Sequence, residues 1–161
     1  MAERGWDEAV VKPVVDLGAK NLQRVRRGEG SGALEKALRR HEAMVQPFLP
    51  SLEEQGETSL VFVDGKLSHT VRKRPAAGDF RVQSIWGGTV EPTEPEAAQV
   101  ELAERALETL GEAPLYARVD LVAGPDGEPR LIELELIEPN LYMDTAPGSP
   151  ARLADAVLRL L

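Results

Sequence analysis

The sequence predicts an α+β fold of two small lobes, each an antiparallel sheet packed with helices. Three observations predict it. Segments that read as hairpins alternate with segments that read as helices, in the order ββ-α-β and then ββ-loop-α-ββ-α, which favours antiparallel pairing over a doubly wound parallel sheet. Two of the connections are strong hairpin turns, Asp64-Gly65 and Gly124-Pro125-Asp126-Gly127. A break between Pro50 and Gly56 then divides the chain into lobes over residues 1–50 and 51–161.

The totals bound the rest. The chain has 161 residues, enough for one domain with a real core or for two small lobes. Only 4% of it is aromatic, so aliphatic side chains must fill the interior. With no cysteine, a disulfide framework, a thiolate zinc site and a cysteine nucleophile are all excluded. No apolar run reaches membrane-spanning length and the first residues lack a signal-peptide pattern, so the expectation is a cytoplasmic protein with no membrane partner. A net charge of −8 argues against a nucleic-acid partner. The basic residues are nonetheless clustered, at Arg24, Arg26 and Arg27 and again at Arg72, Lys73, Arg74 and Arg81. Such strips on an acidic chain suit a small anionic ligand, or simply a solvated face.

In order, Ala9–Val15 reads as a strand bent or placed at an edge by Pro13. Asp16–Asn21 is a loop around Gly18, and Leu22–Val25 is the return strand. Ser31 can cap a helix over residues 32–44, with Leu34, Ala37, Leu38, His41 and Met44 along one side. Met44–Leu49 is a short extended segment before Pro50, and Ser51–Gly56 a flexible acidic loop. Glu57–Val63 and Lys66–Arg74 are the two arms of the Asp64-Gly65 hairpin. Phe80–Gln83 reads as extended and Val90–Pro95, with its two prolines, as irregular. Glu96–Leu110 is the clearest helix, stopped by Gly111. Tyr116–Val122 and Arg130–Ile137 form a second hairpin, and a final helix runs over about residues 150–161.

That second hairpin carries the chemistry. Residues i and i+2 of a strand share a side, so Arg118 and Asp120 sit together on one arm, Glu133 and Glu135 on the other. The flanking positions are aliphatic, and a carboxylate among aliphatics needs a partner or a cation. Three acids in one ribbon favour a hard divalent ion, which takes oxygen ligands and often nucleotide phosphates. A single such acid would more simply pair with Arg118 or Arg130. Lys12, on a strand before a glycine loop, can reach phosphates, although an exposed strand lysine is the commoner case. Met44–Leu49 offers free backbone groups to a purine edge, with Phe48 and Leu49 as apolar walls and Glu57 near ribose hydroxyls. For Phe48 and Leu49, plain core packing is the stronger local reading. Neither His41 nor His69 sits in a nucleophilic arrangement.

Taken together and in order, these segments resemble a known family. The residues are VVKP with its small-residue loop, VQPFLP with a downstream Glu, GETSLVFVDG, VRKRPAAGDFRVQ, GG, ARVDLV and LIELELIEPN. The set resembles the ATP-grasp superfamily of carboxylate–amine ligases, nearest the branch of prokaryotic glutathione synthetases, RimK-type glutamate ligases and the cycloserine-forming ligase. The resemblance implies ATP bound in a cleft between two lobes, with Mg²⁺ (or Mn²⁺), a small-molecule carboxylate and an amine. Lys12 would contact phosphates under the loop around Gly18. Gln46, Phe48 and Leu49 would hold adenine, and Glu57 ribose. Arg74 and Arg81 would lie near the phosphates and the acyl phosphate, and Arg118 would stabilise the tetrahedral centre. Asp120, Glu133 and Glu135 would ligate the metal. The family's usual pattern on the last strand is Glu-x-Asn, where this chain has Glu133-x-Glu135. The resemblance also implies a missing N-terminal domain of the same protein, and it leaves a homo-oligomer open. The alternatives are a nucleotide-binding module without turnover and a metal-dependent nuclease.

Overall fold

A computed structural model describes residues 1–14, 19–29, 31–39 and 42–161. Contacts divide the chain into two compact units, Met1–Pro50 and Ser51–Leu161.

In the first unit, β1 (Glu8–Pro13) is the middle of a three-stranded antiparallel sheet, flanked by β2 (Gln23–Arg26) and β3 (Ala43–Pro47). The helix α1 (Ser31–Leu38) buries Ala33 and Ala37 against Val11, with Val25, Leu34 and Ala43 around them. The expected helix over residues 32–44 therefore ends early. Its last stretch is drawn into the sheet, where Ala43 and Met44 pair with Pro13 and Lys12. Backbone pairing to β1 outweighs the helical periodicity read there. Gly18, His41 and the first half of the Asp16–Asn21 loop lie outside the described residues.

The second unit is built on a five-stranded antiparallel sheet. Its members are β4 (Glu57–Val63), β5 (Lys66–Arg74), β6 (Thr89–Pro92), β7 (Tyr116–Ala123) and β8 (Pro129–Glu135), in the spatial order β6-β5-β4-β7-β8. As the central strand, β4 is buried along its whole length. The helix α3 (Ala97–Glu108) covers one face, packing Ala103 and Leu107 on Leu60, Phe62, Ala117, Val119 and Leu121. Its start is fixed by a capping box in which Glu96 and Gln99 satisfy each other's backbone N–H groups. The last helix, α4 (Ser149–Leu158), lies against β4 and β5.

Two expectations for this unit change. The acidic stretch after Pro50 is a helical turn, α2 (Ser51–Glu54), because Ser51 O accepts the N–H of Gln55 and acids suit a helix N-terminus. Residues 90–92, expected to be irregular, join Thr89 in the edge strand β6. An edge tolerates Pro92, whose missing N–H faces no partner. Residues 80–82 form no strand.

Both hairpins carry an irregularity that matters below. The β4–β5 turn uses Asp64 at φ 52° and Gly65 at φ 69°, the pair of positive φ values that a two-residue turn with strand-matching twist requires. The register then shifts between Val61 and Phe62. In the β7–β8 hairpin the register shifts between Asp120 and Leu121, leaving Ile132 as the extra residue. No described helix is long and apolar enough to cross a membrane.

Candidate active site

The sheet face away from Leu60 and Phe62 carries the polar groups. On β4 these are Glu57 and Ser59. Lys73 stands opposite Glu57 on β5, and Asp120 stands opposite Ser59 on β7. Glu133 and Glu135 stand opposite Asp120 and Arg118. Strand alternation and pairing thus bring seven polar side chains from four strands together.

Asp120 is the hub, with no exposure to solvent. Its Oδ1 accepts Ser59 Oγ–H at 2.6 Å and Arg118 Nε–H at 2.9 Å. Its Oδ2 accepts Lys73 Nζ–H at 3.1 Å and Arg118 Nη2–H at 2.9 Å. Lys73, also buried, makes its shorter ion pair with Glu57. Arg118 pairs with Glu135 as well, and Nη2 lies 4.0 Å from Glu133 Oε2. Its Nη1 donates to Asn140 O at 3.2 Å. His69, on the same face one pair along from Val71, donates Nε2–H to Leu141 O at 2.7 Å and so anchors the chain beyond β8.

The charges shift one another. Burial raises the Glu57 carboxyl to about 8; Lys73 pulls it back and Asp120 adds to the rise. Asp120 goes the other way. Burial would raise it, but Lys73, Arg118 and Ser59 together hold it down at about 2. Burial also works against the Lys73 ammonium, and Glu57 and Asp120 outweigh it, so its pKa rises. Burial, Asp120 and Glu135 raise Glu133. The face therefore keeps Asp120 ionised, while burial makes Glu57 a weaker acid than an exposed carboxyl.

Asp120, Glu133 and Glu135 each offer an oxygen within 4.8 Å of the others. Three hard oxygen donors at that spacing fit a divalent cation of the magnesium type. The Glu133-x-Glu135 arrangement supplies one more charge than Glu-x-Asn would, which the Arg118–Glu135 ion pair offsets.

The remaining expected residues make contacts of their own. Arg74 lies one residue beyond Lys73, on the opposite side of β5, and pairs with Glu91 at 3.2 Å. Arg81 is clamped by Asp79 at 2.6 Å, with its guanidinium 3.6 Å from the Trp86 ring centroid. Glu57, expected at a ribose, is 6% exposed and bound to Lys73. In the first unit, half-buried Lys12 pairs with Met44, and Gln46 with Val10. Phe48 is buried under the Arg24 guanidinium, 3.6 Å from its ring centroid, and Leu49 is half-buried. Phe48 is therefore part of that unit's packing.

Sequence reasoning passed over Ser59 and named Lys73 only as one of a basic cluster. The signal for Ser59 was its place two residues after Glu57 on one strand face. For Lys73 a simple count from the turn misleads, because pairing without the bulge would set Arg72 opposite Glu57.

Comparison with known proteins bears on this arrangement. Residues 2–140 match the family described as prokaryotic glutathione synthetase, ATP-grasp domain. The cycloserine biosynthesis protein DcsG of Streptomyces lavendulae is 32% identical over 165 residues, covering 96% of this chain and 55% of that protein. A glutathione synthetase of Prochlorococcus marinus (strain MIT 9313) is 31% identical, covering 98% of this chain and 51% of that protein. The chain thus spans about half the length of these relatives. The crystal structure of D-cycloserine synthetase DcsG superposes with a TM-score of 0.87 at 29% identity, over 99% of this chain and 57% of that one. A D-alanine–D-alanine ligase from Bacillus anthracis shares the fold, with a TM-score of 0.69 at 22% identity over 98% of this chain and 55% of that one. With a match over most of its length, an α+β architecture of two antiparallel sheets and a superposable relative, the chain belongs to the family of prokaryotic glutathione synthetase ATP-grasp domains.

Proposed function

We propose that the protein to which this chain belongs is an ATP-dependent ligase that joins a small-molecule carboxylate to an amine. The observation that carries this reading is the buried, cation-braced Asp120 with Glu133 and Glu135 beside it, in a chain of the ATP-grasp family. In the reaction, a substrate carboxylate oxygen attacks the γ-phosphorus of ATP and ADP leaves. The amine nitrogen then attacks the acyl phosphate carbon, inorganic phosphate leaves, and the nitrogen loses a proton. Such a reaction is accelerated mainly by positioning and by charge placed where the transition state needs it.

Asp120, Glu133 and Glu135 would hold Mg²⁺, which when bound neutralises phosphate charge. Ser59 and Lys73 hold Asp120 in place and ionised. Arg118 is the guanidinium at the same face and the candidate for charge developing at the reacting carbon. Lys12, Gln46 and Leu49 are proposed as nucleotide contacts of the first unit, together with the backbone about Phe48. Membership of this family also weighs against the nuclease alternative.

Glu133→Gln tests the reading. The expected outcome in the whole protein is loss of ATP-dependent phosphate release, by about a hundredfold or more, across a panel of acids and amines. Phosphate release unchanged by the substitution would sink the assignment. Calorimetry of this chain with Mg-ATP separates nucleotide binding from turnover, because a module that only binds would show heat without phosphate.

A further inference from the structure

Arg118 stands among the three carboxylates as a cation already in place. It is 6% exposed, forks Asp120 through Nε and Nη2, pairs with Glu135 through Nη2, and lies 4.0 Å from Glu133. A carboxylate has about four lone-pair sites. Those of Asp120 are taken by Ser59, by Lys73 and by two nitrogens of Arg118, and solvent does not reach it. A divalent ion can therefore gain an Asp120 oxygen only if one of these donors gives way. Ser59 and Lys73 come from inside the sheet, and Lys73 is tied to Glu57. Arg118 has an alternative: Nη1 already donates to Asn140 O at 3.2 Å, and its Cζ is 5.8 Å from the Tyr142 ring centroid.

Resting on the reading of these acids as a magnesium site, we propose that Arg118 and the metal compete for the same oxygens. Uptake of the ion turns the guanidinium off Asp120 and Glu135 and onto Asn140 and Tyr142. The charges favour such an exchange. Three carboxylates whose oxygens converge within 4.8 Å repel one another. A guanidinium relieves this with one delocalised charge, whereas a divalent ion brings two charges to a point. Two consequences follow. The site takes up the ion less tightly than its three carboxylates alone would. In addition, Arg118 becomes free to meet an anionic group only once the ion is in, so metal uptake and guanidinium release are reciprocally coupled.

The test uses this chain, with Mg²⁺ and Mn²⁺ as probes. In the wild type, the Arg118 Nε–H signal is followed by NMR during a Mg²⁺ titration. Uptake of Mn²⁺ is measured from the spin-resonance signal of the free ion, for the wild type, Arg118→Met and Glu133→Gln. We expect the Arg118 signal to move saturably with Mg²⁺, Arg118→Met to bind Mn²⁺ about tenfold more tightly, and Glu133→Gln to lose binding. An Arg118 signal that stays still while the wild type takes up metal overturns the proposal and leaves the metal site standing. A folded Arg118→Met that binds no more tightly does the same. Absence of metal uptake in both the wild type and Arg118→Met overturns the magnesium reading itself. Should Arg118→Met fail to fold, the wild-type titration decides alone.

Discussion

Lys73 and Glu57 show how residues beneath a site govern it. The lysine is buried between Glu57 and Asp120, so removing it strands negative charge in the interior. Lys73→Met is expected to destabilise the second unit by about 3–5 kcal/mol, read from urea unfolding. The double variant Lys73→Met/Glu57→Gln should recover part of that loss, because one of the stranded acids is gone. Glu57 also sets a pH dependence. Its folded-state pKa of about 8 lies above the ordinary 4.5, so the folded chain holds a proton that the unfolded chain releases. Its contribution to stability is full below pH 4.5 and is lost as pH rises toward 8. Unfolding curves across that window should show the decline in the wild type and a flatter profile in Glu57→Gln. Asp120, held down at about 2, acts in the opposite direction and only in acid, below about 3.8.

Among the elements, the β4–β5 hairpin decides most. Gly56 enters it at φ 84°, and a Cβ there would come within 2.3 Å of Lys73 O. A side chain at that position pushes on the backbone that carries the buried lysine. Gly56→Ala is expected to cost about 1–3 kcal/mol, seen as a lower denaturant midpoint, with weaker Mn²⁺ uptake as a second readout. The elements themselves were largely legible. The Asp64-Gly65 turn, the Glu96–Leu110 periodicity with its Gly111 stop, and the aliphatic hairpin arms are local signals, and local signals survive folding. The β6 strand and the early end of α1 were not legible, because each depends on a distant strand that offers unpaired backbone groups. The capping box at Glu96 was legible in principle as an acid followed three residues later by Gln99.

For the whole molecule, a ligand bound only by the folded chain must raise its stability. Mg²⁺ at about a hundred times its dissociation constant should add about 2.7 kcal/mol to the second unit. A thermal-melt shift in the wild type, and none in Glu133→Gln/Glu135→Gln, is the expected result; equal shifts in both would place the ion elsewhere. The sequence by itself determined the fold class and the two pairs, Arg118 with Asp120 and Glu133 with Glu135, because strand alternation is local; the bulge at Ile132, which a count from the turn does not give, sets Glu133 opposite Asp120 and so brings the two pairs to one face. Only the tertiary structure decided which basic side chain joins the acids. A one-residue bulge in β4–β5 sets Lys73, not Arg72, opposite Glu57, and alternation then sends Arg74 to the other side. Burial between neighbouring strands, which no local pattern encodes, set Glu57 against Lys73 in the interior and raised its pKa.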